Sequence, residues 1–196
     1  TIVEQNEVFE CDRGIGLCSE SYKLQTKDCI VRDNFVYNNF RTGIYMGAYL
    51  GFDGLSTKNC YVVNNTLFNN NLKGGQLDGT NNYLKVNDRD NSSEGEIRLS
   101  ELCEENVIAN NIIYAVSDRD IFIRKYTTSG KNNYIGGNIY FSPTKKNHKW
   151  MWDGKEYTDF SAWQAVSGDK TSVFDVDPLL KSTRLQQPDL HLKSSS

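Results

Sequence analysis

The chain has 196 residues, enough for one domain with a buried core. Its formal net charge of −3 at pH 7 provides no basic surface for nucleic acid, which we exclude as a partner. No stretch approaches the roughly 20 apolar residues that a membrane span requires. These quantities leave a single globular domain with a partner of some other class.

A nine-residue motif recurs five times, and each copy carries asparagine at its sixth position. The copies begin at residues 1, 29, 60, 106 and 133 and read TIVEQNEVF, CIVRDNFVY, CYVVNNTLF, NVIANNIIY and NYIGGNIYF. Such self-similarity indicates a solenoid, in which each repeat buries its apolar face against its neighbours. Apolar stretches on either side of the asparagine predict strand, tight turn and strand.

The asparagines of the motif are predicted to form the turns. We expect them to adopt the left-handed backbone conformation that most residues resist. In stacked coils their side chains can also hydrogen-bond along the stack as a ladder. The ladder is predicted to contain Asn6, Asn34, Asn65, Asn111 and Asn138.

A second motif lies between the copies and alternates apolar residues with others, as a half-buried strand does. It reads GIGLC at 14–18, GIYMG at 43–47, EIRLS at 96–100 and DIFIR at 120–124. Its inward positions are predicted to hold Ile15, Leu17, Ile44, Met46, Ile97, Leu99, Ile121 and Ile123. One coil then holds about three short strands, and successive coils pair as parallel sheets about 4.8 Å apart.

A long loop at 69–95 extends one coil, and loops of this length are typically functional or disordered. Its acidic residues make calcium a candidate cofactor, with Asp88, Asp90 and Glu94 as candidate ligands. The loop lacks the alternating ligands and central glycine of an EF-hand. The alternative is a solvated loop that borders a groove.

The repeats occupy residues 1–141, and residues 142–196 are predicted to close the same domain. The stretch TDFSAWQAV predicts a short helix with Thr158 as its N-cap. The aromatic residues before it are interpreted as a cap over the end of the coils. The alternative is that Trp150 or Trp152 stacks on a sugar ring.

The five cysteines, at 11, 18, 29, 60 and 103, have no metal-type CxxC spacing. Cys29 and Cys60 each open a copy of the motif, so they should lie one above the other. They form either a stacked pair of buried thiols or a disulfide between adjacent coils.

The repeats resemble the bacterial right-handed parallel β-helix proteins of the broad pectate-lyase-like superfamily. The resemblance runs through residues 1–141 and continues in DGKEYTDFSAWQAVSG at 153–168 and in the segment 175–196. It implies an all-β right-handed parallel β-helix of about five to six coils, with a short helix-containing C-terminal segment. It also implies a secreted or cell-surface protein, of which this chain is a fragment that lacks N-terminal coils. The uncapped end of the coils is then either a liability for solubility or a candidate surface for self-association.

In such proteins the outer face of the second motif's strand, with its adjoining turns, forms a saccharide groove. One outward column is predicted to hold Gly16, Tyr45, Arg98 and Phe122, and the next Cys18, Gly47, Ser100 and Arg124. Aromatic faces pack on sugar rings, and guanidinium groups pair with carboxylates. The predicted substrate-binding residues are Tyr45, Tyr49, Arg98, Phe122, Arg124 and Tyr126. The alternative is that these are ordinary strand residues on a solvated face.

Opposite charges align at the start of the same strands. The residues concerned are Asp12, Arg13, Arg41, Glu94, Asp118 and Arg119. They form either structural ion pairs or a site for a cation or for acid–base chemistry.

Two reactions fit the resemblance, and whether the protein is an enzyme stays open. A polysaccharide lyase would use Arg98 or Arg124 as a base beside a uronate carboxylate. A glycoside hydrolase needs two carboxyls, for which Glu20 with Asp53 or Glu101 is the candidate pair. The chain lacks both the paired aspartates of polygalacturonases and the calcium-binding aspartate cluster of pectate lyases.

We therefore expect a secreted carbohydrate-active β-helix that recognises an acidic polysaccharide; whether it also cleaves that polysaccharide, as a lyase or a hydrolase, stays open. The alternative is a non-catalytic β-helix, a surface, adhesion or structural module that binds a glycan or a protein partner.

Overall fold

The computed structural model describes residues 1–72, 94–116, 121–125, 127–144 and 148–194. Within these ranges the chain forms a parallel β-solenoid with one short helix, which confirms the predicted fold class. The solenoid makes about four turns instead of five to six coils, because the residues after the fifth motif copy close it. No helix in these ranges has the length and apolar character needed to cross a membrane.

Short strands follow one another around each turn. The first turn holds β1 (Ile2–Glu4), β2 (Glu7–Phe9), β3 (Arg13–Leu17) and β4 (Thr26–Lys27). The second holds β5 (Ile30–Arg32), β6 (Phe35–Tyr37), β7 (Thr42–Met46) and β8 (Thr57–Lys58). The third holds β9 (Tyr61–Val63), β10 (Thr66–Phe68) and β11 (Ile97–Leu99), and the fourth β12 (Val107–Ala109), β13 (Ile112–Tyr114) and β14 (Ile121–Lys125). The remaining elements are β15 (Tyr134–Gly136), β16 (Ile139–Phe141), β17 (Lys149–Trp152), β18 (Lys155–Tyr157), α1 (Phe160–Ser167), β19 (Val173–Phe174), β20 (Leu180–Ser182) and β21 (Asp189–Leu192).

Three stacked sheets run along the solenoid. The first sheet has the order β1-β5-β9-β12-β15, the second β19-β16-β13-β10-β6-β2 and the third β18-β17-β14-β11-β7-β3. In the first sheet the third residues of the motif copies pair in the predicted register: Val3, Val31, Val62, Ile108 and Ile135. Each turn therefore covers the apolar side chains of the next, and this burial is the main stabilising contribution.

The predicted asparagine ladder lies along the corner between the first and second sheets. Each side-chain amide donates to the carboxamide oxygen of the next turn, at 3.0 Å from Asn6 to Asn34, 2.9 Å to Asn65, 3.1 Å to Asn111 and 3.0 Å to Asn138. The backbone N–H of each donor residue bonds to the same oxygen. The ladder thus pairs polar groups that would otherwise be buried without partners.

The ladder asparagines do not themselves adopt the left-handed conformation, so that prediction is wrong. The residue before each of them does, with φ of 57° at Gln5, Asp33, Asn64 and Asn110 and 66° at Gly137. The chain reverses one residue earlier than predicted, and this turns the asparagine side chain into the corner, where it meets its neighbours.

A second, shorter ladder that was not predicted occupies the next corner. Nδ2 of Asn39 donates to the carboxamide oxygen of Asn70 at 2.7 Å, and Nδ2 of Asn70 donates to the carboxylate of Glu96 at 2.6 Å. Glu96 also accepts the backbone N–H of Asn70 at 3.0 Å. These bonds fix the path of the chain into the third sheet.

Residues after β16 close one end of the solenoid. Trp150 on β17 and Trp163 on α1 are both buried, with stacked rings whose centroids lie 5.8 Å apart. Trp150 is therefore a core residue and not a sugar-stacking one. The carboxylate of Asp159 accepts the N–H of Ala162 at 2.7 Å, so the N-cap is Asp159 and the prediction of Thr158 is wrong by one residue.

The hairpin of β20 and β21 covers part of the second sheet from outside. Its two apolar anchors pack in a small cluster with aromatic residues of the sheet. The cluster consists of Phe68, Tyr114, Phe141, Leu180 and Leu190.

All five cysteines are free thiols, so Cys29 and Cys60 do not form the disulfide that the sequence left open. Burial raises the pKa of the Cys60 thiol to about 11. The thiol is therefore protonated and weakly nucleophilic at neutral pH.

Candidate functional site

The outer face of the third sheet carries three of the six predicted substrate-binding residues, namely Tyr45, Arg98 and Arg124. Strands β3, β7, β11 and β14 lie side by side, and one outward column holds Gly16, Tyr45, Arg98 and Arg124. Charged residues of the same strands and of their leading segments surround this column. We use the name arginine face for Arg13, Arg41, Tyr45, Glu94, Arg98, Arg124 and Lys125.

Arg124, and not Phe122, pairs with Arg98 on the neighbouring strand, so the register of β14 differs from the prediction by two residues. The pairing of β14 with β17 is irregular at this point. Phe122 is fully buried, with its ring centroid 4.9 Å from that of Trp150 and 5.4 Å from that of Tyr140. Burial of this large ring in the aromatic end of the solenoid decides the register. The assignment of Phe122 as a substrate-binding residue is therefore wrong.

Glu94 is the centre of the arginine face. Its Oε1 lies 3.1 Å from Nε of Arg41, and its Oε2 lies 2.7 Å from Nη1 of Arg98 and 3.5 Å from Nε of Arg13. The side chains of Glu94 and Arg41 are each 1% exposed. The aligned charges thus form ion pairs, and one carboxylate serves three guanidinium groups from three successive turns.

The charge of Glu94 depends on these neighbours. Burial alone would raise the pKa of its carboxyl, but attraction to Arg98, Arg13 and Arg41 outweighs burial and holds the pKa below the ordinary 4.5. Glu94 is therefore ionised at neutral pH. Its surroundings attract anions and repel cations, which favours an ion-pair role over calcium ligation.

Arg98, Arg124 and Lys125 are largely buried. As whole residues, Arg98 is 8% exposed and Arg124 is 7% exposed. Lys125 pairs with the carboxylate of Asp153, and its ammonium group lies 5.5 Å from the centre of the Trp152 ring. Attraction between such groups and an anion is stronger than at a fully hydrated surface.

Tyr45 lies at the middle of the arginine face. The guanidinium carbon of Arg13 is 5.4 Å from the centre of its ring, and its hydroxyl lies 3.3 Å from Sγ of Cys18. Burial, then the contact with Cys18, raises the pKa of Tyr45 to about 12. The hydroxyl stays protonated at neutral pH and can donate to an acceptor.

The carboxyls predicted for hydrolysis follow the strands of the third sheet but have separate surroundings. Glu20 and Asp53 are exposed, and Asp53 accepts the hydroxyl of Tyr22 at 2.9 Å. Glu101 is buried and accepts the backbone N–H of Gly51 at 3.0 Å. The acid–base role of these carboxyls stays a prediction.

Tyr49 is half exposed, and its ring centroid lies 5.1 Å from that of Phe52. The other site predictions, for Tyr126, Asp88, Asp90, Asp118 and Arg119, lie outside the described residues. Among the residues that are described, no group of three or more His, Cys, Asp or Glu side chains is arranged to hold a metal ion. Calcium binding stays a prediction.

Sequence comparison finds similarity to the uncharacterized protein YwoF of Bacillus subtilis (strain 168). The two are 30% identical over 182 residues, which cover 91% of this chain and 34% of YwoF. The chain thus spans about a third of the length of that relative. No family model matches the chain. No solved structure matches it either.

Proposed function

We propose that this protein is an extracellular carbohydrate-binding β-helix, related to the pectate-lyase-like proteins, that recognises an acidic polysaccharide along the arginine face. The observation that carries the proposal is the convergence of guanidinium groups from three successive turns on one face. Among the described residues, Arg13, Arg41 and Arg98 contact Glu94, and Arg13 and Arg41 also contact Asp12.

Arg13 is the residue through which a ligand would reach this face. Its side chain is 25% exposed, whereas the side chains of Arg41 and Arg98 are 1% and 10% exposed. Arg13 also lies farthest from Glu94, at 3.5 Å. A sugar carboxylate would accept hydrogen bonds from Arg13 and the Tyr45 hydroxyl, while the deeper arginines supply fixed positive charge.

The geometry favours binding over cleavage. A lyase base must lose its proton, but the ion pair of Arg98 with Glu94 stabilises the charged guanidinium. Lys125 is likewise paired, with Asp153. These contacts therefore support a protein that binds the polysaccharide without cleaving it better than they support a lyase.

Titration calorimetry with polygalacturonate, and with heparin as a sulfated polymer, tests the proposal. We expect wild type to bind at least one of them with an affinity that falls as salt is added. Arg13→Ala should weaken binding by about tenfold, the loss of one charge-assisted contact. Arg32→Ala is the matched control, because Arg32 pairs with Glu4 on the first sheet.

Binding that is absent for both polymers, or equally strong in Arg13→Ala and wild type, would refute the proposed function. Absorbance of unsaturated products in the same samples reports any lyase activity. Product formation that Arg98→Lys abolishes would overturn the preference for a non-catalytic module.

A further inference from the structure

Two loops bring exposed aromatic side chains together beside the arginine face. The loop at 18–25 follows β3, and the loop at 47–56 follows β7. Tyr22 is 69% exposed and Tyr49 is 52% exposed. Both pack against Phe52, with ring centroids 5.1 Å from it. We use the name aromatic platform for Tyr22 and Tyr49 together with Phe52, the buried ring that both contact.

The two loops are joined to each other, so the platform is fixed before any ligand arrives. The N–H of Leu55 donates to the carbonyl of Ser21 at 2.9 Å. The hydroxyl of Tyr22 donates to Asp53 at 2.9 Å. A Cβ at Gly54 would lie 2.5 Å from Cζ of Phe52 and 2.9 Å from Cδ1 of Tyr22, so the rings rest closely on the loop backbone.

Exposed aromatic and aliphatic side chains in one patch typically mark a binding surface. Further exposed apolar side chains border the platform, namely Leu24, Leu50 and Leu55. Exposed carboxylates of Glu20 and Asp53 stand on the same loops. A rigid apolar surface with hydrogen-bond acceptors at its edge matches a pyranose ring, which has an apolar C–H face and donor hydroxyls.

We propose that the aromatic platform is a subsite for a neutral pyranose residue of the polysaccharide, an inference that rests on the proposed function. We expect a neutral sugar because the two loops carry two exposed carboxylates, Glu20 and Asp53, against one exposed ammonium group, Lys23, and this excess of negative charge disfavours a uronate. The acidic residue of the same polymer lies on the arginine face. The ligand is then a heteropolysaccharide that contains both kinds of sugar.

The test uses the whole chain with isotope-labelled tyrosine rings and neutral hexasaccharides of glucose, xylose, mannose and galactose. We expect one of them to shift the ring resonances of Tyr22 and Tyr49. Tyr22→Ala with Tyr49→Ala should weaken that binding by about tenfold or more. Tyr134→Ala, which removes an exposed tyrosine from the first sheet, should leave it unchanged.

Tyr22→Phe separates stacking from the hydroxyl contact, and it should retain most of the affinity. No ring shift with any of the neutral sugars would overturn the subsite. So would shifts that depend on protein concentration, since these would assign the platform to contact between copies. Failure of the proposed function appears separately, as absent binding of polygalacturonate and heparin to wild type.

Discussion

The asparagine ladder allows a quantitative test of what holds the turns together. The side chain of Asn65 accepts from the backbone N–H of Asn34 at 3.1 Å and from its Nδ2 at 2.9 Å. It donates to the carbonyls of Val31 at 2.9 Å and Val63 at 3.1 Å, and to Asn111 at 3.1 Å. Asn65→Ala removes all of these bonds and leaves the buried N–H of Asn34 without that partner.

A lost intramolecular hydrogen bond costs about 1 kcal/mol, and a buried donor left unpaired costs about 1–3 kcal/mol. Some of the groups that lose Asn65 as a partner keep other hydrogen bonds, so the individual costs do not all add. We therefore expect Asn65→Ala to lower the free energy of unfolding by about 3–5 kcal/mol. Asn6→Ala makes the same substitution at the exposed end of the ladder, where the side chain makes two bonds. It should cost about 1 kcal/mol.

Urea unfolding of both variants, with the slope of free energy against denaturant compared to wild type, provides the measurement. Equal destabilisation by the two substitutions would mean that the ladder contributes nothing to stability beyond its local turns.

Three further predictions concern other parts of the molecule. Glu94→Gln should lower the free energy of unfolding by about 3 kcal/mol, because Arg41 and Arg98 then lose a buried negative charge that they contact. The pKa of Glu94 is lowered from 4.5 in the folded state, so the stability that its carboxylate contributes is complete above pH 4.5 and is lost as the pH falls further. In thermal melts below pH 4.5, the stability of Glu94→Gln should therefore vary less with pH than that of wild type. Phe122→Ala should lower the free energy of unfolding in urea by about 3–5 kcal/mol, while the variant molecules that remain folded bind polygalacturonate as wild type does. Weaker binding by the folded variant would instead indicate that Phe122 contacts the ligand. Asp159→Ala should cost about 1 kcal/mol in thermal unfolding, and no change would contradict the capping bond.

The repeat could be predicted because stacked turns place equivalent residues in identical surroundings. Val62 pairs with Val31 and Ile108 as the motif requires, so the pattern alone contains the register. The sequence did not show which residue of the turn is left-handed. The left-handed residue directly precedes the ladder asparagine, and in the third turn both of these residues, Asn64 and Asn65, are asparagines, so residue type does not distinguish their roles.

Strand β14, the fourth copy of the second motif, shows where prediction from the sequence pattern fails. In DIFIR both isoleucines alternate correctly, so nothing local revealed that Phe122 turns inward to meet Trp150, which lies 28 positions later. Glu96 was missed for a related reason. Its ladder partners Asn39 and Asn70 each lie five residues after a motif asparagine, so two copies of the motif contained a pattern from which they could be predicted. The third member of this ladder is a glutamate, which does not continue that pattern.

Hydrogen exchange measured with and without polygalacturonate locates the ligand on the solenoid, because it reports which of the three sheets the ligand protects. We expect slower exchange in Arg13–Leu17, Thr42–Met46 and the following loops, with no change in the first sheet. Protection confined to the first or second sheet, or none at saturating ligand, would contradict the assignment of the arginine face.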